Sequence, residues 1–405
     1  MPQSKLPRLR YSEFSYPWSP KALGEFADVS KLAGYEFTKH VVYRDTGNYI
    51  GLRGLNIKNN GLDLSNVKYV DSSDLSKLSR SKLYVGDLMF TYVGTIGGVA
   101  LIQENDRYYL APNVARIRIN TEVAIPEFVD QYFMNSNFRS REIEKRIATG
   151  SQPSLSMSNI RMFELYIPTK EEQQKISDFL TTVDEKIAAL EQKAEKLQDY
   201  KHGMMQKIFS QQIRFTRPDG SSFPEWETKK LSEIMRESRV MGEKGSISKK
   251  ITVKLWGKGV FAKTDQNGSV NTQYYTRHAG QFIYSKLDFL NCAFGIIPAE
   301  LDGFGSTVDL PAFDIKPSYS GKFLLERIMR KDFYKRLGET ADGSRKAKRI
   351  HADTFLGFTV SIPVYEEQQK IADFLSAIDA KITLTKSQVQ KTKEFKKGLL
   401  QRMFV

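Results

Sequence analysis

Two stretches of the chain share one spacing of hydrophobic positions. After Pro168, the residues Ile176, Leu180, Val183, Ile187, Leu190, Ala194, Leu197, Lys201, Met204 and Ile208 recur at alternating steps of four and three. That is a heptad seam, and it predicts a long helix packing through one face. After Pro363 the same spacing runs through Ile371, Leu375, Ile378, Ile382, Thr385, Val389, Thr392, Lys396, Leu399 and Met403. This second seam is weaker, because Thr385, Thr392 and Lys396 are polar. Both seams carry a lysine at the same place, Lys201 and Lys396, and a polar seam residue fixes register at a cost in stability. Thr169 followed by Glu172 predicts a capping box on the first helix; Val364 stands at the matching place in the second. Forty residues of helix span ~60 Å.

The stretches are copies of one another. Residues 167–210 align with 362–405 at a constant offset of 195, with 19 of 44 positions identical. The chain is therefore a tandem duplication. Fainter echoes precede each copy. Trp18, Leu23 and Glu25 match Trp226, Leu231 and Glu233, and the run Gly86 to Thr91 matches Gly280 to Ser285. Gly150-Ser151 and Gly343-Ser344 each lie shortly before an Ile-Pro. The expected order is a head over 1–168, a helix over 169–210, a head over 211–363 and a helix over 364–405. A compact head has its termini close together. The second helix should then run back along the first as an antiparallel coiled coil, with one head at each end and a pseudo-twofold internal repeat.

Each head reads as mixed α/β. Val85–Tyr92 and Val114–Ile119 have strand character. Pro126 opens a helix over 126–147 with Phe128, Tyr132, Phe133, Ile143 and Ile147 facing inward, and a last strand covers 163–167. The second head repeats the plan with a strand at 282–285, a helix at 318–338 and a strand at 358–362.

Composition narrows the function. The chain has 405 residues, 40% of them hydrophobic, so it holds more than one core. The single cysteine, Cys292, excludes a disulfide framework and a cysteine zinc site, and fits a reducing cytoplasm. The four histidines lie far apart. No apolar run approaches the ~20 residues of a membrane span, and the first residues lack a signal-peptide core. Sixty-one Lys and Arg against 47 Asp and Glu leave a net charge of +14, which points to a polyanionic partner, nucleic acid before membrane.

Basic and amide residues in expected loops are the candidate DNA contacts. In the second head they are Arg345, Lys346, Lys348 and Arg349 before the last strand, and Lys249, Lys250, Lys254 and Lys258 interleaved with Trp256 and Phe261. In the first head they are Arg146, Gln152, and the pair Arg53 and Asn56 in a glycine-rich stretch. Basic groups neutralise phosphates, and amides and guanidinium groups match base edges. A solvated charge run, a polar turn or a hairpin turn would read the same way.

Catalytic motifs are missing. There is no Gly-x-x-x-x-Gly-Lys-Ser/Thr loop, and Gly94 to Gly98 lacks that lysine and reads as a tight turn. No Asn-Pro-Pro-aromatic run is present. Pro218-Asp219 followed by Glu227-Thr228-Lys229 has the order of one class of metal-dependent nucleases, but Pro218-Asp219-Gly220 is a good turn sequence. Cys292 reads as a buried residue rather than a nucleophile.

Taken together, the chain resembles the specificity subunit of a type I restriction–modification system. The strongest marks are Pro168 with Glu171-Glu172-Gln173-Gln174-Lys175-Ile176, and Pro363 with Glu366-Glu367-Gln368-Gln369-Lys370-Ile371. Gly86-Asp87-Leu88-Met89 and the run Thr252 to Val260 add weaker ones. The resemblance implies that each head is a target-recognition domain for one half of a gapped site in double-stranded DNA. It implies that the helices space the heads and dock two modification subunits, which use S-adenosylmethionine to methylate adenine at N6. Restriction subunits using ATP and Mg would join them in a bacterial or archaeal cytoplasm. This chain would hold no cofactor and do no chemistry. A coiled-coil adaptor and a stand-alone DNA-binding regulator are the rival readings.

Overall fold

The computed structural model describes residues 5–32, 34–58, 61–148, 153–264, 270–339 and 349–405. The two seams form helices over Lys170–Phe209 and Tyr365–Met403. The chain divides into two units, and each takes parts of both helices. Unit 1 is Met1–Ala194 with Thr385–Val405, and unit 2 is Glu195–Leu384.

The two units are built on one plan. In unit 1 an antiparallel sheet runs in the order Ala27–Lys31, Val114–Ile119, Asp87–Thr91, Val99–Leu101. In unit 2 the order is Met235–Ser238, Ala312–Ile315, Phe282–Tyr284, Phe294–Ile296. Alternate residues of a strand face opposite sides, and here both sides are covered. Leu88 and Phe90 enter one core and Met89 another; Phe282 and Tyr284 enter one and Ile283 another. A two-stranded ribbon ties the start of each head to its end, Ser19–Ala22 with Glu164–Ile167 and Glu227–Lys230 with Thr359–Ile362.

The expected helix over 126–147 is broken. It forms Pro126–Met134 and Ser136–Phe138, then a wider turn over Arg139–Ile143 and a tighter one over Glu144–Arg146. Asn135 causes the break: its backbone is extended, its side chain caps the next turn at Phe138 N, and its amide donates to the Leu400 carbonyl. In unit 2 the helix over 318–338 breaks into Gly321–Ile328 and Lys331–Gly338. Arg330 sits at the break, 195 positions on, and donates to the Met205 carbonyl at 3.1 Å. Periodicity alone does not show a break that a long-range polar contact supports.

The repeated Glu-Glu-Gln-Gln motif is a clamp between head and helix. Glu172 is fully buried and accepts from Arg10 Nε and Nη2, both at 2.7 Å, and from Trp18 Nε1 at 3.2 Å. Glu367 is equally buried and accepts from Arg214 Nε and Nη2 at 3.2 and 2.9 Å and from Trp226 Nε1 at 3.2 Å. The capping box is thus only half formed. Thr169 accepts weakly from Glu172 N at 3.4 Å, while the Glu172 carboxylate turns to the head. Gln173 accepts from Ile125 N at 2.8 Å and donates to the Pro168 carbonyl; Gln368 does the same with Ser320 N and Pro363. Buried polar groups need such partners, which accounts for the identity of the motif in both copies.

Inside each unit the helix segments run antiparallel. In unit 1, Lys393 meets Glu191 and Lys396 meets Asp184, each at 2.6 Å. In unit 2, Lys201 meets Asp379 at 2.8 Å, and Ile208 and Ile371 share a core. Phe404 packs on Trp18 and Phe128, and Phe209 packs on Trp226 and Phe323.

Candidate nucleic-acid interface

In unit 2 the candidate residues Lys254 and Lys258 lie on a hairpin, Ile251–Val253 paired with Val260–Ala262. Ile251, Val253 and Val260 are buried and root it in a core. Lys254 and Lys258 are exposed on its connecting loop and Lys263 just beyond it. Trp256 stands between the two loop lysines with 59% of its surface exposed. The loop is fixed by its backbone. Lys254 N donates to Gly259 O at 2.9 Å, and Trp256 N and Gly257 N donate to Asn291 O and Cys292 O at 2.8 Å. Trp256 and Gly257 both have positive φ, 60° and 66°. The positive φ favours glycine at 257, where an added Cβ would also displace the flexible end of Met329.

The turn over residues 285–292 that receives the hairpin loop also receives the end of the basic segment before the last strand. Ile350 N donates to Lys286 O at 3.2 Å, Lys286 N donates to Asp309 O, and Arg349 lies 3.5 Å from Asp309. In unit 1, Leu155 N donates to Tyr92 O. Leu155 and Ile350 are 195 apart, and each bonds a residue just past the matching strand, Tyr92 or Lys286. Gln152, Arg345, Lys346 and Lys348 lie outside the described residues.

Three of the expected contacts, Lys250, Asn56 and Arg146, are structural instead. Lys250 keeps only 4% of its surface, with its ammonium 5.7 Å from the Tyr274 ring centre. Its neighbour Lys249 is exposed, 5.8 Å from the ring centre of Phe304. Adjacent residues of an extended segment point opposite ways, so one lysine of the pair faces inward. Asn56 is fully buried: its amide donates to the carbonyls of Asp63 and Asn66, and its oxygen accepts from Arg53 N. It pins the loop and presents no free edge to a base. Arg53 donates to the Asn66 carbonyl at 2.9 Å. Arg146 is half-buried and ion-paired with Glu142 at 2.8 Å. Glu142 also binds Arg141 and accepts from Glu164 N, so Arg146 belongs to an internal network.

Unit 1 has a cleft of about 730 Å³. Arg53, Lys58 and Arg139 line it with Phe37, Tyr43 and the Gly94–Gly98 turn. That turn is as tight as the sequence suggests. Thr91 Oγ1 donates to Thr95 O at 2.7 Å and accepts from Gly98 N at 2.8 Å. Arg139 donates to the Gly97 carbonyl, 42 positions away in sequence, and no local pattern marks it. Lys58 and Arg139 are the cations that the sequence reading missed.

The other chemical candidates are occupied. Asp219 accepts from Ser221 N and Oγ, and Glu227 pairs with Lys229 at 2.9 Å. Burial pushes the Cys292 thiol up to about 12, so it is not a nucleophile at neutral pH. Among the described residues, no three His, Cys, Asp or Glu side chains are grouped to hold a metal ion. No helix among them is long and apolar enough to cross a membrane.

Two heads of one topology, each clamped to a long helix and carrying its own set of exposed cations, define a duplicated recognition scaffold. The model of the type I restriction modification DNA specificity domain matches residues 16–199 and 328–394, more than half of the chain. The chain belongs to that family. It is 27% identical over 176 residues to the HindI specificity subunit of Haemophilus influenzae, covering 42% of this chain and 36% of that one. It is 26% identical over 132 residues to the EcoKI specificity subunit of Escherichia coli, covering 31% of this chain and 28% of that one. The matched stretches span less than half the length of these curated relatives. Over 98% of its length the chain superposes on the S subunit of a type I restriction–modification system from M. genitalium, with a TM-score of 0.60 and 15% identity. A chain from a structure of type I complex assembly and conformational transition gives a TM-score of 0.55 over 96% at 14% identity. The fold is that of the M. genitalium S subunit.

Proposed function

We propose that this chain selects the DNA sequence on which a type I restriction–modification complex acts. Each head reads one part of a gapped, two-part site in double-stranded DNA. Two modification subunits, carrying S-adenosylmethionine, methylate adenine at N6 at that site. Restriction subunits using ATP and Mg join the same assembly. The chain itself contributes recognition and no catalysis.

The observation that carries this reading is the division between constant and variable parts. The clamp, the helix breaks and the helix-end phenylalanines repeat at an offset of 195. The surfaces beyond them differ: the hairpin of unit 2 carries Lys254, Trp256 and Lys258, while the shorter one of unit 1 puts Lys58 on a cleft with Arg53 and Arg139. One scaffold with two different reading surfaces suits a site of two different halves. The cations on those surfaces supply the phosphate contacts, and their effect weakens with salt.

The test is a methylation map. The chain is expressed with the adenine methyltransferase subunit from its own source, and the host DNA is sequenced for N6-methyladenine. A gapped motif that requires both chains is expected. No motif, from a methyltransferase that works with another specificity chain, would overturn the reading and leave an adaptor or a lone regulator.

A further inference from the structure

We propose that Trp256 is a base-contacting residue of unit 2, its indole meeting the bases of one half-site while Lys254 and Lys258 hold the phosphates beside it. This rests on the DNA-recognition reading and deepens it. Three observations converge. First, an indole is the largest apolar side chain, and exposing 59% of it to water is unfavourable unless something covers it. Leu255 beside it and Leu287 on the receiving turn are exposed as well, so apolar side chains face water on both the loop and the turn that holds it.

Second, the loop is fixed in place before anything binds. Backbone hydrogen bonds to Asn291 and Cys292 hold Trp256 and Gly257 in a left-handed conformation, and buried Val253 and Val260 root both strands. A side chain carried on a fixed backbone loses less entropy on binding than one on a loose loop, which favours specific contact. Third, the flanking charge names the partner. Lys254 and Lys258 are exposed on either side of Trp256, Lys263 follows the hairpin, and Arg349 lies at the turn that holds the loop. An apolar group between cations is repelled by none of the features of a DNA groove: the cations meet phosphates and the ring meets bases or thymine methyl groups. A two-stranded ribbon is of a size to enter the major groove.

The short hairpin of unit 1, Ile57–Lys58 with Gly61–Leu62, has no aromatic residue between Arg53 and Asp63. The contact would thus affect one half of the site alone.

The experiment compares methylation maps of the wild-type chain, Trp256→Ala, Trp256→Phe and Lys254→Ala with Lys258→Ala, each co-expressed with the methyltransferase subunit. Binding of the purified complexes to a duplex carrying the wild-type motif is then measured. Trp256→Ala should relax one or more positions in a single half of the motif and weaken binding by roughly tenfold. Trp256→Phe should recover most of both. The double lysine variant should weaken binding at every sequence and lower the salt dependence. Both halves unchanged in Trp256→Ala, with affinity within a factor of about two, would overturn the proposal and leave the DNA-recognition reading intact. A wild-type chain that directs no gapped motif would overturn that reading instead. Unchanged melting and assembly of the Trp256→Ala complex separates either result from misfolding.

Discussion

The helices of the two units repeat at an offset of 195, yet the units treat the seam lysine differently. Lys201 in unit 2 lies between Asp379 of the helix and Glu326 of the head, each at 2.8 Å. Burial opposes its charge, but the two carboxylates outweigh that and raise its pKa. Lys396 in unit 1 meets Asp184, the counterpart of Asp379, at 2.6 Å. The counterpart of Glu326 is Gln131, which donates to Asp184 at 2.8 Å. The second acid has moved one position back, to Asp130, where unit 2 has Leu325. One step along a helix turns a side chain by ~100°, so Asp130 no longer bonds the lysine. Its Oδ1 is sealed from solvent without a hydrogen bond. The helix contributes the same lysine and aspartate in both copies; the difference comes from the heads. Divergence of the heads therefore reaches into the scaffold that holds them.

The largest test of the likeness removes the clamp. Glu172→Ala strands the Arg10 guanidinium and the Trp18 indole in a buried site and should cost unit 1 about 3–5 kcal/mol. Glu367→Ala should cost less. Arg214 keeps Glu225 at 3.1 Å and the carbonyls of Phe223 and Pro224, whereas Arg10 keeps the Tyr16 carbonyl. Denaturant unfolding followed by tryptophan fluorescence reads both, since Trp18 lies in unit 1 and Trp226 in unit 2. Equal losses would mean that the auxiliary partners of Arg214 contribute nothing.

The seam lysines give the next effect. Lys201→Met leaves two carboxylates together without a cation and should cost about 3 kcal/mol. Lys396→Met leaves Asp184 with its Gln131 donor and should cost less. Circular dichroism melts of the two variants decide between them, and a larger loss for Lys396→Met would reverse the ranking of the two sites. Smaller again is Asn56→Ala, which removes three hydrogen bonds from a buried loop and should cost about 1–3 kcal/mol. A change in DNA motif with no change in melting would return Asn56 to the list of base readers.

How legible this was follows the range of each interaction. The seams and the strands at 85–92, 114–119 and 358–362 were readable, because burial of one face imposes a local period. The Gly94–Gly98 turn was readable from its glycines. The breaks at Asn135 and Arg330 were not, because each depends on a carbonyl far along the chain, at Leu400 or Met205. The Glu-Glu-Gln-Gln repeat was visible as a pattern, but its role as a clamp needed the positions of Arg10 and Trp18. Among the candidate contacts, residue type pointed to Lys254 and Lys258 as well as to Lys250 and Asn56. Exposure separates the first pair from the second, and type does not encode exposure. Lys58 and Arg139 join one cleft only through the fold.

Asp130 gives the smallest effect, and the one whose sign is most specific. Burial lifts its carboxyl from an ordinary 3.8 to about 7; Lys396 opposes the shift, and Asp184 and Glu127 add to it. The folded chain therefore holds a proton that the unfolded chain releases between about pH 4 and pH 7. Stability from this group is complete below pH 4, falls as pH rises through that window and levels off above it. Asp130→Asn removes the fall. It should leave stability unchanged near pH 4 and raise it by about 1 kcal/mol at pH 8, less than the full linkage because the site relaxes around a charge. Leu325 occupies the matching place in unit 2, so the rise belongs to unit 1 and should appear in the Trp18 signal. Melting of wild type and variant from pH 4 to pH 8 tests this. A constant difference across that range would show that Asp130 titrates outside it, and the contrast between the two lysine sites would then rest on hydrogen bonding alone.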